Sequence, residues 1–208
     1  GAMGDGCCAH DHDCEEANCA AEFSLHEQVD EARVRALNEA EDGSCKGLFR
    51  QWHTRTDLAA CSCSSNDDDP ELIVHVPFSV DVKIKSICVV GGVEGASPSV
   101  LKVWTNREDI DFSNAGDMAP LQEWQLAEDR RGELEYRTKY PKFQGVSSIT
   151  LFFPSNFGAE ATTLHFIGFK GEATRNRREP VGAFVYEAAP VPDDHSAAAE
   201  KNLRTHIF

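Results

Sequence analysis

The stretch from Val146 to Arg178 constrains the fold more than any other part of the chain, because it sets two strongly strand-like runs around one polar connection. In the first run Ile149, Leu151 and Phe153 alternate with Ser148, Thr150 and Phe152, a period of two that puts one set of side chains on each face. Pro154, Ser155, Asn156 and Gly158 supply turn chemistry. The second run, Thr163 to Phe169, is β-branched and aromatic on both faces. Leu164 and Phe166 belong to one face and Ile167 and Phe169 to the other, as a strand covered on both sides requires. Gly168 and Gly171 fall where a Cβ is unwelcome, at a bulge or beneath another backbone. The stretch reads as a hairpin or a sheet corner at the centre of a core, with no catalytic role.

Further strands are expected at Leu72–Phe78, with Pro77 near the end, and at Val80–Val90, where the alternation slips at Ser86 and Ile87 as at a bulge. Val100–Thr105, Leu121–Leu126, Glu133–Thr138 and Val181–Glu187 complete the set. Short strands at regular spacing, with turn signals between them, favour a sandwich over a parallel α/β fold. One short helix is predicted between Leu25 and Ala40, with Asp30 as N-cap and Gly43 just past its end. Residues 1–24 form a Cys- and His-rich arm read as disordered, with Gly1 and Ala2 as a cloning remnant before Met3. The sandwich spans residues 25–190, and residues 191–208 leave it as a flexible tail.

The 35 acidic side chains against 20 basic ones give a formal charge of −15. That field repels phosphate backbones and anionic headgroups, which argues against nucleic acid or a membrane surface as the main partner. No apolar run approaches the length of a spanning helix, and no signal-peptide pattern opens the chain, so the cytosol or nucleus is expected.

Asn156-Phe157-Gly158, Thr162-Thr163 and Ile167-Gly168-Phe169-Lys170-Gly171-Glu172 together resemble the signature of the PITH domain. Ala36-Leu37-Asn38-Glu39, Val76-Pro77-Phe78, Gly132-Glu133-Leu134-Glu135-Tyr136, Tyr186-Glu187 and Asp194-His195 agree in order along the chain, so the resemblance runs from about Val29 to His195. It implies an all-β, jelly-roll-like antiparallel β-sandwich and a non-enzymatic role as an adaptor or accessory protein of the 26S proteasome. A monomer without a cofactor is expected. The thioredoxin half of larger relatives is absent, so their redox activity is not carried over.

Lys170, Arg175, Arg177 and Arg178 form the densest basic run in this acidic chain and are read as an electrostatic docking patch. The apolar end of the tail, with His206, Ile207 and Phe208, is read either as docking back on its own sheet or as a short linear ligand for another protein. Cys7, Cys8, His10, His12, Cys14 and Cys19 offer thiolate and imidazole ligands suited to zinc, copper or nickel, without the paired spacing of a structural zinc site. Two alternative functions follow: a metal-binding protein acting through this arm, and a small-ligand or glycan-binding sandwich using Trp52, Trp104 and Trp124. His53, His75 and His165 are solitary and read as satisfied imidazoles, and Cys45 and Cys88 as lone thiols. Neither a nucleophile elbow nor a phosphate-cradling glycine loop is present, so no catalytic residue is assigned.

Overall fold

One strand, β3 (Leu72–Gly91), joins both layers of the molecule in the computed structural model, which describes residues 23–177 with side chains to Thr174. Around it lie β1 (Arg35–Leu37), β2 (Cys63–Ser64), β4 (Val100–Thr105), β5 (Gln122–Gln125), β6 (Tyr136–Arg137), β7 (Val146–Phe153) and β8 (Thr163–Arg177). The antiparallel order is β2-β8-β3-β7-β4-β5, and β1 and β6 also pair with β3. Leu72 to Pro77 lie between β1 and β7, whereas Val80 to Gly91 pair with β8. Between Pro77 and Val82, β3 advances five residues while β7 advances only from Ser148 to Val146. The surplus chain carries β3 from one layer into the other. Pro77 sits just before this crossing, and its carbonyl accepts the Asp30 N–H at 2.9 Å. The result is a jelly-roll β-sandwich.

Alternation then fills the interior. Leu72, Val74 and Val76 of β3, Ile149, Leu151 and Phe153 of β7, and Leu101 and Val103 of β4 face Ile84, Ile87 and Val89 with Leu164, Ile167 and Phe169 of β8. Phe49 stacks on Phe169 at 5.9 Å, and Phe78 meets the same ring edge-on at 5.6 Å. Each such side chain contributes roughly 1.5–3 kcal/mol by leaving water. The outer faces are also covered. Trp52 and Leu58 lie against Cys88, Val90 and Phe166 on one side, and Ile110 and Ala115 lie against Ile73, Trp104 and Phe152 on the other.

Two expectations change, and the choice between a hairpin and a sheet corner is decided. β7 and β8 do not pair with each other; both flank β3, so the stretch is a corner and not a hairpin. Leu164 shares the interior with Ile167 and Phe169, because Val90 pairs with Phe166 and Gly91 with Leu164, leaving His165 as an extra residue that flips the face. The short helix is replaced by two 3-10 turns, His26–Gln28 and Glu31–Arg33, followed by β1. Here the backbone donors go to strands and not along a helix: Leu25 N–H to Phe169 O and Asp30 N–H to Pro77 O, each at 2.9 Å. Asp30 stands at the N-cap of the second turn, where its carbonyl accepts the Arg33 N–H at 3.0 Å, but its carboxylate caps no N–H and accepts from Arg33 Nε at 2.8 Å. The bulge near Ser86 is present, since Ile84 pairs with Gly171 and Ser86 with Lys170. The strand expected at Val181–Glu187 lies outside the described residues.

Candidate functional site

Three loops, residues 65–71, 92–99 and 154–162, close the end of the sandwich where β3 finishes and β8 begins. They are bonded to one another as well as to the sheet. Ser65 N–H donates to Thr162 O at 2.8 Å, Thr162 N–H returns to Ser65 Oγ at 2.9 Å, and Thr162 Oγ1 donates to Pro70 O at 2.7 Å. Thr163 N–H donates to Ala96 O and Gly92 N–H to Thr163 O, both at 2.8 Å. The Phe157 N–H is shared between Gly95 O at 2.9 Å and Ser97 O at 3.2 Å. Asn156 Oδ1 accepts the Gly158 N–H at 2.9 Å while its amide donates to Ala159 O at 3.0 Å, and Gly158 takes φ +116°. The turn is over-determined, yet Phe157 remains 45% exposed, and Val93 on the adjoining turn 42%.

Several polar side chains in and beside the other quoted motifs serve the fold. Asn38, at φ +72°, donates to Glu71 O at 2.7 Å, and Glu39 accepts the N–H groups of Gly43 and Cys45 at 2.9 and 3.0 Å. Asp129 accepts the N–H groups of Arg131, Gly132 and Leu134 at 2.9, 2.8 and 2.7 Å, which shapes the approach to β6. Tyr136 takes the Ala127 N–H on its hydroxyl at 2.9 Å.

Lys170, placed in the basic run by the sequence, has a side chain only 15% exposed. It pairs with Glu135, which also accepts from Ser86 Oγ at 2.9 Å, and its Nζ stands 4.2 Å from the centre of the Trp52 ring. Its charge is therefore turned toward the outer face of β8 and away from solvent. Arg175 and Arg177 belong to β8 by backbone, with side chains outside the description. Arg178, His206, Ile207 and Phe208 lie outside the described residues, as do Cys7, Cys8, His10, His12, Cys14 and Cys19. Among the described residues no three His, Cys, Asp or Glu side chains converge on a metal-sized site. Cys45, Cys61, Cys63 and Cys88 are free thiols. Burial raises all four, Cys63 to about 11 and Cys88 to about 12.

A cleft of about 190 Å³ lies between β1, β3 and residues 108–111, lined by Arg35, Leu37, Ile73, His75, Glu108 and Ile110. His75 and Arg35 are directed at the protein, while the Glu108 side chain stands largely in solvent. His75 Nδ1 lies 3.0 Å from Thr150 Oγ1 and its Nε2 3.9 Å from Glu108, and Arg35 donates to Glu108 O at 3.2 Å. Burial lowers His75 and the neighbouring Arg35 and Arg33 lower it further, against an opposing effect of Glu108. Trp52 and Trp104 cover opposite outer faces and Trp124 packs near Phe143, so the three indoles do not form one stacking surface.

Residues 15–190 match the PITH domain family. The chain belongs to the PITH domain family. It is 42% identical over 178 residues to PITH domain-containing protein 1 of Dictyostelium discoideum, covering 85% of this chain and 86% of that one. It is 34% identical over 197 residues to the Homo sapiens protein of the same name, covering 89% and 92%. Among solved structures, the CBM32-1 and CBM32-2 domains of Clostridium perfringens ZmpB superpose with a TM-score of 0.53 at 12% identity, covering 77% of this chain and 40% of that one. This last likeness is one of fold. Phe157 and Val93 are exposed apolar residues that the sequence patterning does not mark, although an aromatic inside a Pro-Ser-Asn-x-Gly turn is a legible signal.

Proposed function

We propose that this PITH domain is a non-enzymatic interaction module that docks on the 26S proteasome as an adaptor or accessory protein, as a monomer in the cytosol or nucleus. One observation carries the reading: Asn38, Glu39 and Asn156 of its motifs are committed to holding turns and strand ends, while Phe157 of the same motifs stands 45% exposed on a turn fixed by hydrogen bonds. A rigid exposed aromatic is the usual form of an interface anchor, because little conformational freedom is lost when it is buried. The choice of partner rests on family resemblance, and fold alone does not supply it. The test is capture of 26S proteasomes from a cell lysate by the full chain, scored against the amount of folded protein immobilised. Near-stoichiometric recovery is expected. A folded chain that recovers no proteasome overturns the reading.

A further inference from the structure

We infer that the three-loop end is the docking face, and that its partner is a protein surface with an apolar pocket rimmed by lysine and arginine. The inference rests on the interaction reading above and names the chemistry of the surface that fits it. Phe157 and Val93 provide the apolar tip on turns tied together by the Phe157 to Gly95 and Phe157 to Ser97 hydrogen bonds. The three loops also contribute Asp67, Asp68, Asp69, Glu71, Glu94 and Glu160, and hold no Lys, Arg or His. Of these Asp67, Asp68, Asp69, Glu94 and Glu160 are exposed. The three loops joined at this end therefore carry charge of one sign beside an apolar tip.

That arrangement selects its partner. A centre that excludes water supplies affinity, while a charged rim speeds encounter and fixes orientation. Phosphate backbones and anionic membranes are repelled by these carboxylates. A like-charged protein surface would place carboxylates opposite carboxylates, which costs several kcal/mol at an interface. A basic rim gains on both counts, and its attraction acts over about 8–10 Å at physiological salt.

The experiment places a photoreactive benzoylphenylalanine at position 93 of the full chain, leaving Phe157 intact, and identifies the cross-linked peptide by mass spectrometry. Parallel proteasome captures use F157A, the pair Asp67→Lys with Glu160→Lys, and the triple variant R175E/R177E/R178E. Phe157 is exposed, so F157A is expected to keep the wild-type melting temperature while losing binding by roughly 30-fold or more. The charge-reversed pair should associate about tenfold more slowly and lose most of its salt dependence. The cross-link should fall on a segment that carries lysines or arginines beside apolar residues, and should vanish in F157A. A basic-rimmed target outside the proteasome would support the face and overturn the proteasome assignment. Capture of proteasomes undiminished in F157A and the charge-reversed pair, or lost only in the arginine variant, would overturn the face and leave the proteasome reading standing. No cross-link above that from a probe at the distant Tyr140, or a cross-link to an acidic segment, would also overturn it.

Discussion

At the scale of single residues, the fold depends on places where one atom decides the outcome. A Cβ at Gly171 would overlap the Lys83 carbonyl oxygen and approach Ile84 Cα, because β8 crosses β3 beside the bulge at Lys85. Backbone cannot swing aside as a side chain can. Gly171→Ala is expected to cost about 3 kcal/mol or more, whereas Gly145→Ala, at φ +61° with nothing within 4 Å, should cost only about 1 kcal/mol. Urea denaturation of the two variants compares them directly, and equal costs would refute the close-approach argument. His75 gives a second test. Burial holds its proton affinity below the ordinary histidine value, so the unfolded chain takes up that proton at a higher pH than the folded one. Stability from this group is complete above about pH 6.5 and is lost as pH falls from there toward the depressed folded value. His75→Gln should flatten that part of the stability–pH curve relative to wild type. An unchanged slope would mean that His75 is not a source of the pH dependence.

At the scale of elements, the period-two pattern was enough to place β4, β5, β7 and most of β3, because each has one face in the interior. It failed where backbone partners, not side chains, made the choice. Val29 and Val34 are buried like residues of a packing helix, yet their segment bonds to β8 and β3, and a strand edge needing donors is invisible in local spacing. The misplaced face of Leu164 came from one extra residue, His165, whose effect depends on the register with Gly91. At the candidate site the charge of Lys170 suggests a docking role, but Glu135 and Trp52, both distant in sequence, neutralise and cover it. Trp52 is the pin of its whole segment: it is 5% exposed, meets Phe166 edge-on at 5.9 Å, and carries Arg55 5.2 Å from its ring centre. Trp52→Ala should cost about 3–5 kcal/mol and loosen residues 50–58 from the outer face of β8. Cys88, now buried in the same cluster with its thiol pushed up to about 12, should then be alkylated faster in the native state. Peptide-level iodoacetamide labelling checks this, and unchanged labelling of a destabilised but folded variant would show that other residues keep the cover closed.

At the scale of the whole molecule, the sharing of β3 has a consequence for unfolding. A sandwich made of two independent sheets can in principle lose one before the other, but here the same strand supplies Leu72 to Pro77 to one layer and Val80 to Gly91 to the next. β1, β6, β7 and β8 all pair with it, so removing either layer strips bonding partners from the other. The two outer indoles report on the layers separately, since Trp52 covers β8 and Trp104 lies on β4 beside Phe152. Two variants, each keeping one of these and replacing the other two tryptophans with Phe, should show the fluorescence midpoint in urea coincide with that from far-ultraviolet circular dichroism of the same variant. The midpoints of the two variants will differ by their substitutions, so the comparison is made within each protein. Because nearly all pairing is between distant parts of the chain, refolding should also be slow, on the order of milliseconds to seconds. If the Trp104 variant lost its fluorescence signal well before its circular dichroism, the layer containing β4 and β7 would be unfolding alone, and the shared strand would not be coupling the two halves.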